Sequence, residues 1–134
     1  FDGGDAFQRL ALSEIRTREP DPSALVVSLS NSHPSTKLER QLAGKPVSGR
    51  VEAGSSLKFC RVAEGRADFY PRLGSISEWD IAAGHAIVRA AGGEVTRLDG
   101  SAMVYGNARK DYRTPPFVAW GREDLKFSVQ FRAE

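Results

Sequence analysis

The sequence contains very little sulfur. Cys60 is the single cysteine among 134 residues, which excludes an internal disulfide bond. Its position within a predicted helix, beside apolar neighbours, favours a packing role over a nucleophilic one. The single methionine is Met103, so Phe1 is not a translation start. We therefore expect the chain to begin after processing or inside a longer protein.

Long hydrophobic runs are also missing. No apolar run approaches the roughly 20 residues that a membrane-spanning helix needs, and the first residues do not follow a signal-peptide pattern. We therefore expect no integral membrane segment. A cytoplasmic location is the expectation, with peripheral attachment at the inner membrane as the other option.

Neither positive nor negative charge predominates in the sequence. The chain has 19 Lys and Arg residues against 17 Asp and Glu residues, which gives a net charge of +2. The basic residues are scattered, and the sequence shows no basic face lined by aromatic residues, so nucleic acid is not an expected partner. A phosphate-rich small molecule suits this mild basicity. The hydrophobic content of 40% is enough for the core of one domain.

What is present is an alternation of strand-like and helix-like segments. Residues 5–10 and 12–18 have the pattern of a hairpin, and Pro20 and Pro22 then indicate a linker. From residue 25 to 120 the predicted order is strand, helix, strand, helix, strand, helix, strand, strand, which indicates an α/β fold. The predicted strands are 25–30, 47–51, 65–71, 94–98 and 115–121, and the predicted helices are 35–43, a segment after Gly54 and Ser55, and 80–91.

The stretch 79–93 contains the clearest helix signal. Small or apolar residues at 83, 84, 87, 88 and 91 form a helical stripe, and Gly92 supplies a left-handed residue at the end. Asp80 stands at the start, where its carboxylate can cap free N–H groups. Small residues at 82–84 would also let this turn approach a ligand. Asp80 is therefore either a structural cap or a group presented to a ligand.

The end of the first predicted strand also allows two interpretations. Ser32 or His33 can cap the following helix, with Pro34 in its first position. Alternatively, Ser30 and His33 face a ligand phosphate or base, because ligands usually bind at the carboxyl edge of α/β sheets.

A third helix start has the features of an anion site. Gly54 and Ser55 precede a helix whose first N–H groups are free, and Lys58 adds a cation in the first turn. The alternative is an ordinary Ser-capped helix with an exposed lysine. Arg72 follows a strand that is expected to stop at Pro71. Its guanidinium either is solvated or binds phosphate oxygens through two parallel N–H groups.

Several of these segments resemble one family. Trp79-Asp80-Ile81-Ala82-Ala83-Gly84, followed by an apolar helix and Ala-Gly-Gly, resembles the C-terminal signature of the inositol monophosphatase superfamily of metal-dependent phosphatases. Gly-Ser-Ser-Leu-Lys-Phe-Cys at 54–60 and Ser-Asn-Ser-His at 30–33 are similar to its CysQ-type 3'(2'),5'-bisphosphate nucleotidase branch. Asn31 stands where that branch has arginine. Arg72 stands where inositol monophosphatases tend to place a carboxylate that holds the sugar.

The resemblance implies a fold and a domain organisation. Residues 21–134 would form the C-terminal α/β subdomain of the layered αβαβα sugar-phosphatase fold. Residues 1–20 would be a β-hairpin that ends the N-terminal antiparallel-sheet subdomain. The family's upstream glutamate and its Asp-Pro-(Ile/Leu)-Asp-Gly-Thr motif do not occur here. The implied partners are therefore the upstream half of the same protein, a nucleotide bisphosphate substrate and, as an option, a second copy in a homodimer.

The resemblance also implies an activity. This would be magnesium-dependent removal of the 3'-phosphate of adenosine 3',5'-bisphosphate, which gives AMP and phosphate and belongs to sulfur assimilation and nucleotide recycling. No catalytic residue is expected in this part, and one carboxylate cannot hold hydrated Mg²⁺ tightly. The alternatives are an inositol or sugar phosphatase and a non-catalytic nucleotide-binding module. The implied site residues are Asp80 for substrate and metal, Gly54 and Lys58 for a substrate phosphate, and Ser30, His33 and Arg72 for the nucleotide or its phosphates.

Overall fold

The computed structural model describes residues 12–30, 32 and 35–133. The predicted order of elements from residue 25 to 120 is confirmed, and the described residues also form two short 3₁₀ turns within this range and one after it. The strands are β1 (Leu25–Leu29), β2 (Val47–Glu52), β3 (Phe69–Arg72), β4 (Glu94–Arg97) and β5 (Phe117–Trp120). The helices are α1 (Thr36–Leu42), α2 (Leu57–Ala63) and α3 (Ala82–Ala90), and the 3₁₀ turns are Glu78–Asp80, Ala108–Lys110 and Glu123–Phe127.

The strands form one mixed sheet in the order β2-β1-β3-β5-β4. Strands β1, β2 and β3 are parallel, whereas β5 runs antiparallel to both β3 and β4. The carboxyl ends of the three parallel strands therefore meet at one edge of the sheet. This is the edge at which α/β proteins usually bind their ligands.

A hydrophobic layer covers each face of the sheet. In β1, Leu25, Val27 and Leu29 point to one face, where they pack with α1 and with residues 125–131. Val26 points to the other face, where Phe59 and Val62 of α2 pack with Val88 of α3. The buried alternation of β1 therefore produces a three-layer α/β/α arrangement.

The start of α3 differs from the prediction. Asp80 does not cap this helix: Ile81 occupies the N-cap position without any side-chain cap hydrogen bond, and Asp80 ends the preceding 3₁₀ turn. The Ile81 N–H donates to the Glu78 carbonyl oxygen at 3.2 Å, and the Ile81 side chain is fully buried. Burial of Ile81 therefore determines where the helix begins, and the Asp80 side chain is left exposed.

The buried face of α3 is also rotated relative to the predicted stripe. The buried positions are 81, 84, 85, 88 and 91, whereas Ala83 and Ile87 are exposed. The cause is Gly84, where an added Cβ would lie 2.4 Å from Cδ2 of Phe59. Only a residue without a side chain permits this approach of α3 to α2. Gly92, with φ of +108°, ends the helix as predicted.

The segment before β1 is not the predicted strand. Residues 12–20 form no regular element, and residues 5–10, the other strand of the predicted hairpin, lie outside the described residues. A β-strand needs a neighbouring strand with which its backbone can form hydrogen bonds. Instead, the Thr17 N–H donates to the Ala91 carbonyl oxygen at 3.0 Å, and Arg18 forms an ion pair with the buried Asp68 at 2.6 Å. The subdomain boundary expected near residue 20 stays a prediction.

Two local predictions need correction. Helix α1 is capped by Ser35, whose hydroxyl oxygen accepts the Leu38 N–H, rather than by Ser32 or His33. Strand β3 does not stop at Pro71, because Pro71 pairs with Val118 and the strand continues to Arg72. Since β1 pairs with β3 only at Phe69, the missing N–H of Pro71 does not interrupt that pairing.

No helix within the described ranges combines the length and the apolar character that crossing a bilayer requires.

Candidate functional site

The carboxyl edge of β1, β2 and β3 contains a cavity of about 370 Å³. Its walls come from the end of β1, the first turns of α1 and α2, the end of β2, and residues 70–74 of β3 and the following turn. A second cavity of about 190 Å³ is lined by residues 55, 56, 76 and 80 together with Lys58, Tyr70 and Arg72. Those last three side chains line both cavities, so the two spaces adjoin.

Lys58 is a buried cation between the two cavities. It is 4% exposed, and its Nζ lies 5.3 Å from the centre of the Tyr70 ring. Among the described residues it has neither an ion-pair partner nor a hydrogen-bond acceptor for Nζ. Burial lowers the pKa of Lys58, and the positive charge of Arg72 lowers it further. An anion between these two groups would relieve both effects.

Arg72 supplies the second cation. Its Nε is buried and has no hydrogen-bond partner in the described part of the chain. Burial raises the pKa of the Tyr70 hydroxyl, and the nearby positive charge of Arg72 opposes this rise. A guanidinium with an unused buried donor is suited to phosphate oxygens, which it can bind as a planar fork.

Asp80 lies in the smaller cavity with an exposed carboxylate. No described residue pairs with this side chain, so both oxygens are available. Carboxylate oxygens suit Mg²⁺, and Asp80 therefore fits as one ligand. The described residues contain no group of three or more His, Cys, Asp or Glu that could hold a metal ion.

The structure brings together most of the residues predicted for the site. Ser30, Lys58 and Arg72 line the larger cavity, and Asp80 joins Lys58 and Arg72 in the smaller one. Gly54 lies outside the lining of both cavities, although the next two residues, Ser55 and Ser56, line the smaller one. His33 lies outside the described residues. The roles of all these residues stay predictions.

Several residues that line the larger cavity were not predicted from the sequence. Glu39, Arg50 and Glu52 line the larger cavity opposite β3, and Tyr70 lies between Lys58 and Arg72. Arg50 and Glu52 are two residues apart in β2, so their side chains share a face. That alternation was the one available signal. Cys60, expected to be a packing residue, is half-buried in α2.

A buried histidine network was missed as well. His85 Nδ1 is hydrogen-bonded to the Tyr105 hydroxyl at 2.6 Å, and its Nε2 to the Glu94 carboxylate at 2.6 Å. Burial, together with the negative charges of Glu78 and Glu94, raises the pKa of Tyr105 to about 12. The backbone N–H of Gly106 donates to the buried carboxylate of Glu78, two residues before Asp80. The loop 101–113 is thereby fixed beside the Asp80 turn.

Comparison with known sequences identifies relatives that agree with the family resemblance of the motifs. The CysQ 3'(2'),5'-bisphosphate nucleotidase of Salmonella typhimurium is 41% identical over 104 residues, which cover 78% of this chain and 41% of that protein. An uncharacterised protein in the pss 5' region of Rhizobium leguminosarum bv. phaseoli is 53% identical over 72 residues, which cover 51% of this chain and 76% of that protein. The chain therefore spans about two fifths of the length of its CysQ relatives.

Solved structures agree with the sequence relatives. The crystal structure of CysQ from Bacteroides thetaiotaomicron, a bacterial member of the inositol monophosphatase family, is 36% identical with a TM-score of 0.61 and covers 83% of this chain and 39% of that one. The IMPase of Thermotoga maritima is 27% identical with a TM-score of 0.65 and covers 87% and 44%. The model of the inositol monophosphatase family matches residues 5–124. On this evidence the chain belongs to the inositol monophosphatase family.

Proposed function

We propose that this protein is a 3'(2'),5'-bisphosphate nucleotidase that removes the 3'-phosphate of adenosine 3',5'-bisphosphate and releases AMP and phosphate. The observation that carries the proposal is a pair of cations, the buried Lys58 and the half-buried Arg72, which line two adjoining cavities without an acidic partner among the described residues. A substrate with two phosphates places one beside Asp80 and the other against this pair.

The inositol alternative fits these cations less well. A monophosphorylated polyol has one anionic group, which would lie at the scissile position near Asp80, and the rest of the molecule carries only hydroxyl groups. Such a substrate has no second anion for Lys58 and Arg72, whereas a bisphosphate has one for each end of the two cavities. The similarity to CysQ proteins of Salmonella typhimurium and Bacteroides thetaiotaomicron supports the same choice.

Each residue then has a stated role. Lys58 and Arg72 bind the phosphate that is retained, Ser30 and His33 bind the nucleoside, and Gly54 lets the backbone before α2 approach the ligand. Asp80 supplies one oxygen ligand for Mg²⁺, which when bound would polarise the scissile phosphate and neutralise developing charge. The remaining ligands would come from outside the described residues.

Product analysis tests this proposal. The full-length protein is incubated with adenosine 3',5'-bisphosphate and Mg²⁺, and the products are separated by chromatography. We expect 5'-AMP and inorganic phosphate in equal amounts, with no product after chelation of the metal. The variant Asp80→Asn should lose most of the activity and retain its fold by circular dichroism. Release of the 5'-phosphate, or full activity of Asp80→Asn, would contradict the proposal.

A further inference from the structure

The wall of the larger cavity that lies farthest from Lys58 and Arg72 is formed by an ion pair. The guanidinium of Arg50 in β2 donates to both carboxylate oxygens of Glu39 in α1, at 2.5 and 2.8 Å. Glu52, two residues after Arg50, lines the same wall. Its carboxylate has no hydrogen-bond or ion-pair partner among the described residues.

This arrangement gives the cavity two electrically different ends. Lys58 and Arg72, for which the described part of the chain offers no acidic partner, lie at the β3 end. At the β2 end, two carboxylates and one guanidinium leave one net negative charge. Because β1 separates β2 from β3 and neighbouring strands lie about 4.8 Å apart, the two ends are about 10 Å apart. That span suits a ligand with an anion at one end and an uncharged, hydrogen-bonding group at the other.

Four apolar side chains line the cavity between these charged groups, together with Ser30 and Ser35. Leu29 and Leu38 line it from β1 and α1, and Pro71 and Leu73 line it from β3 and the following turn. Apolar walls of this kind accept the faces of a planar ring. The ring edge would then meet the oxygens of Glu39 and Glu52.

The carboxylates at the β2 end act as hydrogen-bond acceptors. The hydrogen bond from Arg50 holds the pKa of Glu39 below its usual value, so Glu39 is ionised at neutral pH. An ionised carboxylate accepts hydrogen bonds and cannot donate them. Both side chains of the ion pair are about half exposed, so water weakens any preference that they create.

From this geometry we propose that Glu39, Glu52 and Arg50 form a base-recognition wall that selects a nucleobase whose edge offers an amino group, as adenine does, over one that offers a carbonyl oxygen. The inference rests on the proposed nucleotidase function and adds to it the group that determines base preference. The adenine amino group donates to a carboxylate. A carbonyl oxygen at the same place would face the net negative charge of the wall, and Glu39 already takes two of the Arg50 donors.

The test compares two substrates whose base edges differ. The kcat/KM of the full-length protein is measured for adenosine 3',5'-bisphosphate and for inosine 3',5'-bisphosphate, in which a carbonyl oxygen replaces the amino group and the adjacent N1 carries a hydrogen. We expect a preference for the adenosine compound of about 10-fold, because the wall is partly exposed to water. The variants Glu39→Gln and Glu52→Gln should each reduce this ratio, and the double variant should bring it near 1.

The matched control is Glu123→Gln, which changes an exposed glutamate paired with Lys126 far from the cavity. Its ratio should equal that of the unchanged protein. If Glu39→Gln does not fold, Glu52→Gln decides alone, since no described contact of that side chain supports the fold. Equal kcat/KM values for the two nucleotides, or an unchanged ratio in the variants, would overturn the base-recognition wall and leave the nucleotidase function standing.

A failure of the nucleotidase proposal can be distinguished from a failure of the base-recognition wall. If neither nucleotide is hydrolysed, the nucleotidase function fails. Calorimetric binding of the two bisphosphates to the same full-length proteins then tests the wall by itself. Tighter binding of the adenosine compound that is lost in the glutamine variants would support the wall, whereas equal binding would overturn it.

Discussion

The ammonium nitrogen of Lys58 lies 5.3 Å from the centre of the Tyr70 ring, and the pKa of Lys58 is lowered by burial and by the charge of Arg72. The aromatic ring offers the cation some electrostatic attraction, but no described carboxylate neutralises it. This part of the fold therefore keeps a charge in place at a cost in stability. Such a cost is expected where a protein prepares a site for an anion.

Replacing Lys58 should separate stability from function. In Lys58→Met the buried cation is removed and its stem is replaced by a similar apolar chain, so we expect the free energy of unfolding to rise by about 1 kcal/mol. The same change should lower kcat/KM for adenosine 3',5'-bisphosphate by at least about 10-fold. Urea denaturation and steady-state kinetics of the full-length protein measure the two effects, with the exposed Lys37→Met as control.

The pH dependence of that effect has a definite sign. Because folding lowers the pKa of Lys58 below its ordinary value of 10.5, the unfolded chain binds this proton more strongly. The unchanged protein should therefore gain stability as the pH rises toward 10.5, and Lys58→Met should lack this gain. A variant that is less stable than the unchanged protein at neutral pH would contradict the description of Lys58 as an unpaired buried cation.

The contribution of Arg72 to substrate binding should depend on the planar geometry of its guanidinium group and not on its charge alone. Arg72→Lys keeps the positive charge but loses the parallel donors, including the buried Nε that lacks a partner. We expect kcat/KM for adenosine 3',5'-bisphosphate to fall roughly 10-fold, which corresponds to about 1.4 kcal/mol. Hydrolysis of inositol 1-phosphate by the same variant should change little. A parallel loss for both substrates would indicate general damage to the site.

Gly84 should tolerate no side chain. In Gly84→Ala the new Cβ would meet the Phe59 ring at 2.4 Å and would force α3 away from α2. We expect a loss of about 1 to 3 kcal/mol in the free energy of unfolding, measured by urea denaturation. Gly74→Ala is the matched control, because no heavy atom lies within 4 Å of its added Cβ. Equal stability of the two variants would show that the packing of α2 on α3 is looser than described.

The Tyr105 hydroxyl should lose its proton at a higher pH than an ordinary tyrosine does. Burial and the neighbouring carboxylates raise its pKa to about 12 from an ordinary value of 10.0. The folded state therefore holds this proton more strongly than the unfolded state, and stability should fall as the pH rises from about 10 toward 12. In Tyr105→Phe the phenolate absorbance should lose a step near pH 12, and stability should fall less steeply over that range. An unchanged absorbance titration would contradict the contact with His85 and Glu94.

The order of elements could be predicted from local patterns, whereas the buried face of α3 could not. Spacing within 80–91 favoured Ile87 as a buried position, but the structure buries His85, because Glu94 and Tyr105 satisfy both ring nitrogens. Those partners come from β4 and from a loop 20 residues away. No pattern inside the helix contains that information, and the same holds for Asp80, whose exposed position follows from the burial of Ile81.

In the candidate site as well, local patterns predicted some residues and missed others. Lys58 and Asp80 were predicted from local motifs and Arg72 from its place at the end of a strand, and their roles stay predictions. The pair of Glu39 and Arg50 was missed, because its two residues meet only when β2 pairs with β1 in the observed register, with Leu29 beside Glu52. Strand order and register are properties of the whole sheet, so a wall built from two elements stays hidden until the sheet is known.

The most direct test of the proposed function is the ratio of kcat/KM for adenosine 3',5'-bisphosphate to that for inositol 1-phosphate, measured on the full-length protein with saturating Mg²⁺. Because Lys58 and Arg72 provide two cations for a second phosphate, we predict a ratio well above 10. The ratio should decline in Lys58→Met and Arg72→Lys. Faster hydrolysis of inositol 1-phosphate than of the nucleotide by the unchanged protein would contradict the proposal.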